Sequence, residues 1–170
     1  MNLKRLVLGL AVAVPLAVVG VAYAAGVFGD ARQATAHFHH LPAAEAAGYG
    51  LFRDAQGIAC IELEGTGAMG VHYVNGSLVG DAVLDPKQPE GLVYEQRGNN
   101  MHLVALEYIV FKSVWEDAGN QEPPRLFNRE FDLVPAGNRY GLDPFYALHA
   151  WAWKVNPSGD FFAWNPRVDC

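Results

Sequence analysis

Two cysteines far apart constrain this fold more than any other feature. Cys60 and Cys170 are the only cysteines among 170 residues, and a bond between them would tie the end of the chain to its middle. Whether they bond depends on the compartment, and residues 1–24 bear on that. Lys4 and Arg5 precede an almost unbroken apolar run from Leu6 to Ala22, and Ala22-Tyr23-Ala24 has the small-x-small pattern that a signal peptidase reads. The expectation is a signal peptide over 1–24, cleaved before Ala25. The product would be exported: secreted, periplasmic or associated with the cell envelope. The competing reading is an uncleaved anchor, since Leu6 to Phe28 is long enough to cross a bilayer. Pro15 and Gly20 interrupt that run and favour cleavage. In an oxidising compartment an even cysteine count reads as a Cys60–Cys170 disulfide rather than as a zinc or redox pair, the alternative being two free thiols. In the chain-entropy model, closing a loop of that length is worth about 4–5 kcal/mol.

Residues 25–170 have the length of one ordinary globular domain. The chain carries 18 acidic against 12 basic residues, for a formal net charge of −6, and two of the basic residues fall in the leader. Without a run of Lys and Arg it is a poor ligand for nucleic acid, where phosphate contact needs clustered positive charge. It is equally poor for anionic lipid heads. Membrane association is expected only if the N-terminal segment stays attached.

The pattern along the chain runs from helix to strand. Asp30 and Gln33 look like a helix start in which the Asp30 carboxylate caps orphan amides. Ala31, Ala34, Thr35, Phe38 and Leu41 then recur at helical spacing. Pro42 breaks or restarts the helix, and Gly48 ends it. After Gly50 the period changes to two. Strands are expected at Ile58–Leu63 and Met69–Val74, with Asn75-Gly76 as a hairpin turn and Ser77–Val79 as the short return. Leu92–Arg97 and Met101–Phe111 form the clearest hairpin, turned by Gly98-Asn99-Asn100. A short strand is expected within Phe127–Asn138, and a further one over Phe145–Lys154. Helices first and strands after, joined by short turns, argue for an α+β fold: N-terminal helices packed on a twisted, mostly antiparallel β-sheet. The alternative is a half-closed β-barrel with helices at its mouth. No glycine-rich strand–helix turn suggests a nucleotide fold.

The histidines are the first chemical constellation. His37, His39 and His40 crowd one turn of the first helical region, while His72, His102 and His149 sit in strands. His37 and His40, three apart, share a helix face. A helix histidine together with two strand histidines makes an open three-nitrogen site of the kind that suits copper, zinc or iron. The candidate ligands are His39, His72 and His149, with Glu107 as a fourth ligand or as acceptor for an imidazole N–H. This places His72 and His149 in neighbouring strands. Met69 and Met101 offer thioethers that would favour copper(I) if they converged there. The bland counterpart is that each histidine is simply hydrogen-bonded, since no short-range metal signature is present.

Aromatics are the second constellation. Phe145, Tyr146, Trp151, Trp153, Phe161, Phe162 and Trp164 crowd the C-terminal part, and Tyr73, Tyr94 and Tyr108 lie in other strands. They read as core first and as the lining of an apolar-ligand pocket second. Ser77 and Ser158 lie in turns and form no nucleophile elbow, and Glu62 and Glu64 form no marked glycosidase pair. No catalytic residue is assigned, and the sequence leaves open whether the protein is an enzyme.

The segments Ala34-Thr35-Ala36-His37-Phe38-His39, Gly67-Ala68-Met69-Gly70-Val71-His72-Tyr73-Val74-Asn75 and Leu148-His149-Ala150-Trp151, with Asn156-Pro157-Ser158-Gly159 and Trp164-Asn165-Pro166, resemble a group of small exported bacterial proteins. The resemblance implies export and a single domain, and it carries over no catalytic residue. Three functional readings follow. One is an exported histidine-site protein binding a transition metal (copper, zinc or iron). Another is a non-enzymatic module holding a small molecule in an aromatic-lined pocket. The last is a structural envelope protein.

Overall fold

The computed structural model describes residues 26–170. The expected signal peptide or anchor over 1–24 lies outside them. Among the described residues no helix is long and apolar enough to cross a membrane.

Helix α1 (Gly29–Thr35) runs through a 3-10 turn (Ala36–His39) into α2 (Leu41–Ala46). Pro42 restarts the helix in its first turn, where a missing N–H costs nothing. Asp30 does not cap. The N-cap of α1 is Phe28, without a side-chain bond, and Asp30 lies in the first turn, where a carboxylate suits the helix dipole. The strands β1 (Gly50–Leu51), β2 (Cys60–Leu63) and β3 (Gly67–Val74) follow. Then come the short helix α3 (Gly76–Val79), β4 (Gly91–Arg97), β5 (Asn100–Phe111) and α4 (Lys112–Asp117). The chain ends through β6 (Arg125–Leu126), β7 (Arg129–Glu130), β8 (Asp132–Val134) and β9 (Phe145–Ala150).

Asn75-Gly76 is not the expected hairpin turn. The Asn75 side chain accepts from the Ser77 N–H and caps α3, so the predicted return strand is helical. Asparagine serves both roles because its carbonyl imitates a backbone acceptor. The β4–β5 hairpin forms as expected, with Arg97 paired to Asn100.

Seven strands make one antiparallel sheet in the order β1-β3-β4-β5-β9-β8, with β2 also pairing β3; β6 and β7 form a separate ribbon. The fold is α+β, and the sheet is open rather than the half-closed barrel held as the alternative. Its outer strands β1, β2 and β8 are two, four and three residues long. Side chains alternate along β5. Leu106, Tyr108 and Val110 face the helices and pack with Phe28, Ala31, Phe38 and Ala44 in the main core. Glu107, Ile109 and Phe111 face the other way, into a cavity.

The C-terminal tail lies across β3. Ala68 and Asn165 exchange backbone hydrogen bonds at 3.2 and 3.0 Å, and Cys60 is bonded to Cys170 across 110 residues. Such close passage needs Gly67, which has φ +118° and where a Cβ would lie 2.2 Å from the Asn165 carbonyl oxygen. A second, smaller core of Ala68, Val93, Val104, Ala105, Trp151 and Val168 forms under this tail. An intramolecular disulfide of this kind fits an oxidising compartment.

Candidate metal centre

β3, β4, β5 and β9 are successive strands of the sheet, so β3 and β9 are not neighbours. Two strands separate His72 from His149, contrary to the sequence expectation. They meet nonetheless, through the register. Glu107 lies directly opposite His149 on one side and opposite Gly91 on the other. Gly91 is opposite Val74, so His72 sits one pleat along on β3 from that row. Residues opposed across an antiparallel pair share a face, and residues two apart on one strand do too. His72, Glu107 and His149 thus point to the same side of the sheet. Gly91 leaves the space between them open: a Cβ there would lie 2.9 Å from the Glu107 Cβ.

The three side chains are buried, at 7, 6 and 4% exposure for His72, Glu107 and His149. One Nδ1 or Nε2 from each ring and one carboxylate oxygen lie within 4.8 Å of one another. Glu107 Oε2 stands 2.7 Å from His149 Nδ1 and 3.3 Å from His72 Nε2. The imidazole centroids are 5.9 Å apart with planes at 73°. These contacts are short but misaligned. Glu107 Oε2 and both ring nitrogens of His149 have no hydrogen-bond partner among the described residues. Glu107 Oε2 and His149 Nδ1 still face each other at ion-pair distance, which leaves His149 Nε2 as the buried atom with neither a hydrogen-bond nor an ion-pair partner among the described residues; such an atom costs about 1–3 kcal/mol. Donors that converge on a common point without aiming at one another are what metal coordination requires.

Electrostatics agree with an ionised carboxylate. Burial pushes the Glu107 carboxyl up, but the imidazoles of His149 and, less strongly, His72 pull it further down, and it ends below the usual carboxylate range.

His39 does not join this group. It is exposed, stacked edge-on against Trp153 at 4.4 Å. Partial burial and the nearby charge of His102 hold its pKa below the ordinary imidazole value. The reason is the alternation of β5. The helices pack on the Leu106 and Tyr108 face, so a histidine on the helical segment is on the wrong side of the sheet for Glu107. The third group of the cluster is Glu107, which the sequence suggests as a fourth. Met69 lines the adjoining cavity, whereas Met101 packs on the main core. Of the aromatics singled out, Phe145 and Phe161 line that cavity, while Tyr73, Tyr94, Tyr108 and Tyr146 belong to the main core.

Sequence reasoning missed Gly91 and Tyr140. Gly91 had a visible signal, a glycine opening an apolar strand, which marks close approach by a neighbour. Tyr140 had none, because its loop reaches the site only through tertiary packing.

In comparisons with known proteins, no family model, no curated protein and no solved structure matches this chain. What the site can do is therefore argued from its geometry.

Proposed function

We propose that this protein binds one transition-metal ion through His72, Glu107 and His149. The observation that carries the reading is the convergence of three buried donor groups within 4.8 Å, with His149 Nε2 left without a hydrogen-bond partner among the described residues. Two nitrogens and one carboxylate oxygen are a donor set used by zinc and by non-haem iron. Donors about 2.0–2.2 Å from one tetrahedral ion lie about 3.3–3.6 Å apart, so Glu107 Oε2 and His149 Nδ1, now 2.7 Å apart, would separate by less than an ångström, and the widest pair, within 4.8 Å, would close by little more than one. Three protein ligands leave coordination positions open, facing the cavity, so the ion is available to a further ligand rather than sealed as a structural staple. Zinc and iron(II) fit the set better than copper(I), which prefers sulfur.

Cobalt(II) titration, followed by visible absorption, tests this. The expected result is saturation at one ion per chain, with intensity typical of low-coordinate cobalt. His72→Ala and His149→Ala should each lose the signal. Binding should weaken on acidification, because protons compete for the imidazole nitrogens. Saturation unaffected by either substitution would place the ion elsewhere.

Export belongs to the same reading, supported by the leader pattern and by the Cys60–Cys170 bond. N-terminal sequencing of protein from its native compartment should find Ala25, and finding Met1 on membrane-bound protein would identify an anchor.

A further inference from the structure

The metal-facing side of the sheet is hollow. A cavity of about 160 Å³ lies over His72, Glu107 and His149. Its walls are mainly apolar, and include Phe52, Ile109, Phe111, Leu142, Phe145 and Phe161. A cavity of about 150 Å³ holds a benzene-sized molecule.

One wall is polar. Tyr140 lines the cavity, and burial together with the Glu107 charge raises its phenol to about 12. Its backbone N–H is held by Asn138, yet its hydroxyl makes no hydrogen bond among the described residues. The Tyr49, Tyr94 and Tyr108 hydroxyls donate to carbonyls; Tyr140 is the tyrosine that lines the cavity. Nor is Tyr140 on a loose loop. Arg139 donates to buried Asp54 at 2.6 and 3.1 Å, and the Ala55 N–H donates to the Arg139 carbonyl. This clamp ties together the two loops that bring Phe52 and Tyr140 to the cavity, with their rings 5.6 Å apart.

We propose that this cavity binds a small, largely apolar molecule the size of a substituted benzene ring, its oxygen-bearing end directed at Tyr140 and the metal. The proposal rests on the metal reading for that polar end alone; the apolar walls stand without it.

Phenol and toluene are suitable probes, titrated by calorimetry and by chemical-shift mapping into the zinc-loaded full chain. Both should bind saturably, phenol several-fold more tightly. Tyr140→Phe should remove that preference, a loss of about fivefold for one hydrogen bond, and leave toluene unchanged. Leu142→Trp, which fills the cavity from a loop, should abolish both, with zinc stoichiometry retained. Val134→Phe serves the same purpose if that variant does not fold. Zinc retained with neither probe bound overturns the pocket and spares the metal reading. Toluene bound to a chain that retains no zinc overturns the metal reading and spares the pocket. Equal affinity for phenol and toluene overturns the role given to Tyr140. Probe binding that survives both cavity-filling variants overturns the location.

Discussion

The two faces of the sheet treat their buried polar groups in opposite ways. On the helix-covered face, the hydroxyls of Tyr49, Tyr94 and Tyr108 donate to the carbonyls of Pro89, Phe38 and Pro86 at 2.7, 2.7 and 2.8 Å. On the far face, His72, Glu107 and His149 are just as buried, yet His149 and Glu107 Oε2 find no aligned partner and border a cavity. The helix-covered face is filled, and the other borders a cavity. On the proposed reading, the gaps on the other side are where a metal ion binds.

The comparison breaks most visibly under truncation. Leu106→Ala removes a fully buried side chain from the helix-facing core and should cost about 4 kcal/mol, measured by denaturant unfolding. A cost under about 1 kcal/mol would show that this face is loosely packed.

Next in size is the staple beneath the far face. Cys170→Ser frees a loop spanning 110 residues and should cost about 3 kcal/mol under non-reducing conditions. The same variant compared with wild type in reductant should show little difference. Two alkylatable thiols in protein from its native compartment would contradict the bond itself.

The far face should respond in the reverse direction. Replacing His72, Glu107 and His149 together by Leu removes unpartnered polar atoms, so metal-free stability should hold or rise by about 1–2 kcal/mol. A loss of more than about 2 kcal/mol would mean that these groups satisfy one another and need no ligand.

The smallest test is a pH slope from the helix side. Glu90 is 1% exposed, and its Oε2 accepts from the Ile109 N–H at 2.9 Å, extending the β5 ladder where β4 has ended. Burial raises its carboxyl to about 8, against the amide bonds that lower it. The folded chain therefore holds a proton that the unfolded chain releases at an ordinary carboxylate pH. Between those two values unfolding releases a proton, so this group makes stability fall as pH rises, by at most about 1.4 kcal/mol per pH unit. Glu90→Gln should flatten the slope between pH 5 and 8; an unchanged slope would contradict the assignment.

Much of this contrast was legible in the sequence, though not its cause. The β4–β5 hairpin could be read because a Gly-Asn turn separates two apolar runs, and the strand at Phe145 because its residues are apolar and aromatic. The Cys60–Cys170 pairing could be read because only one pairing exists. Asn75 could not be resolved, since the same side chain caps a helix as readily as it makes a turn. His72, Glu107 and His149 were recognisable as donors, but not as a group without His39. Their convergence depends on strand order, on the Glu107–His149 register and on the missing side chain of Gly91. Those are properties of the assembled sheet. Placing His39 required knowing which face of β5 the helices cover, and alternation alone leaves that choice open.

The central claim is that one ion belongs to the far face. Elemental analysis after equilibration with zinc and gel filtration tests it most directly, on the wild type, on His39→Ala and on the His72→Leu/Glu107→Leu/His149→Leu chain. The account predicts about one zinc per chain in the first two and none in the third, with the third still folded by circular dichroism. Zinc absent from the folded wild type, or retained equally by the folded triple variant, would contradict it.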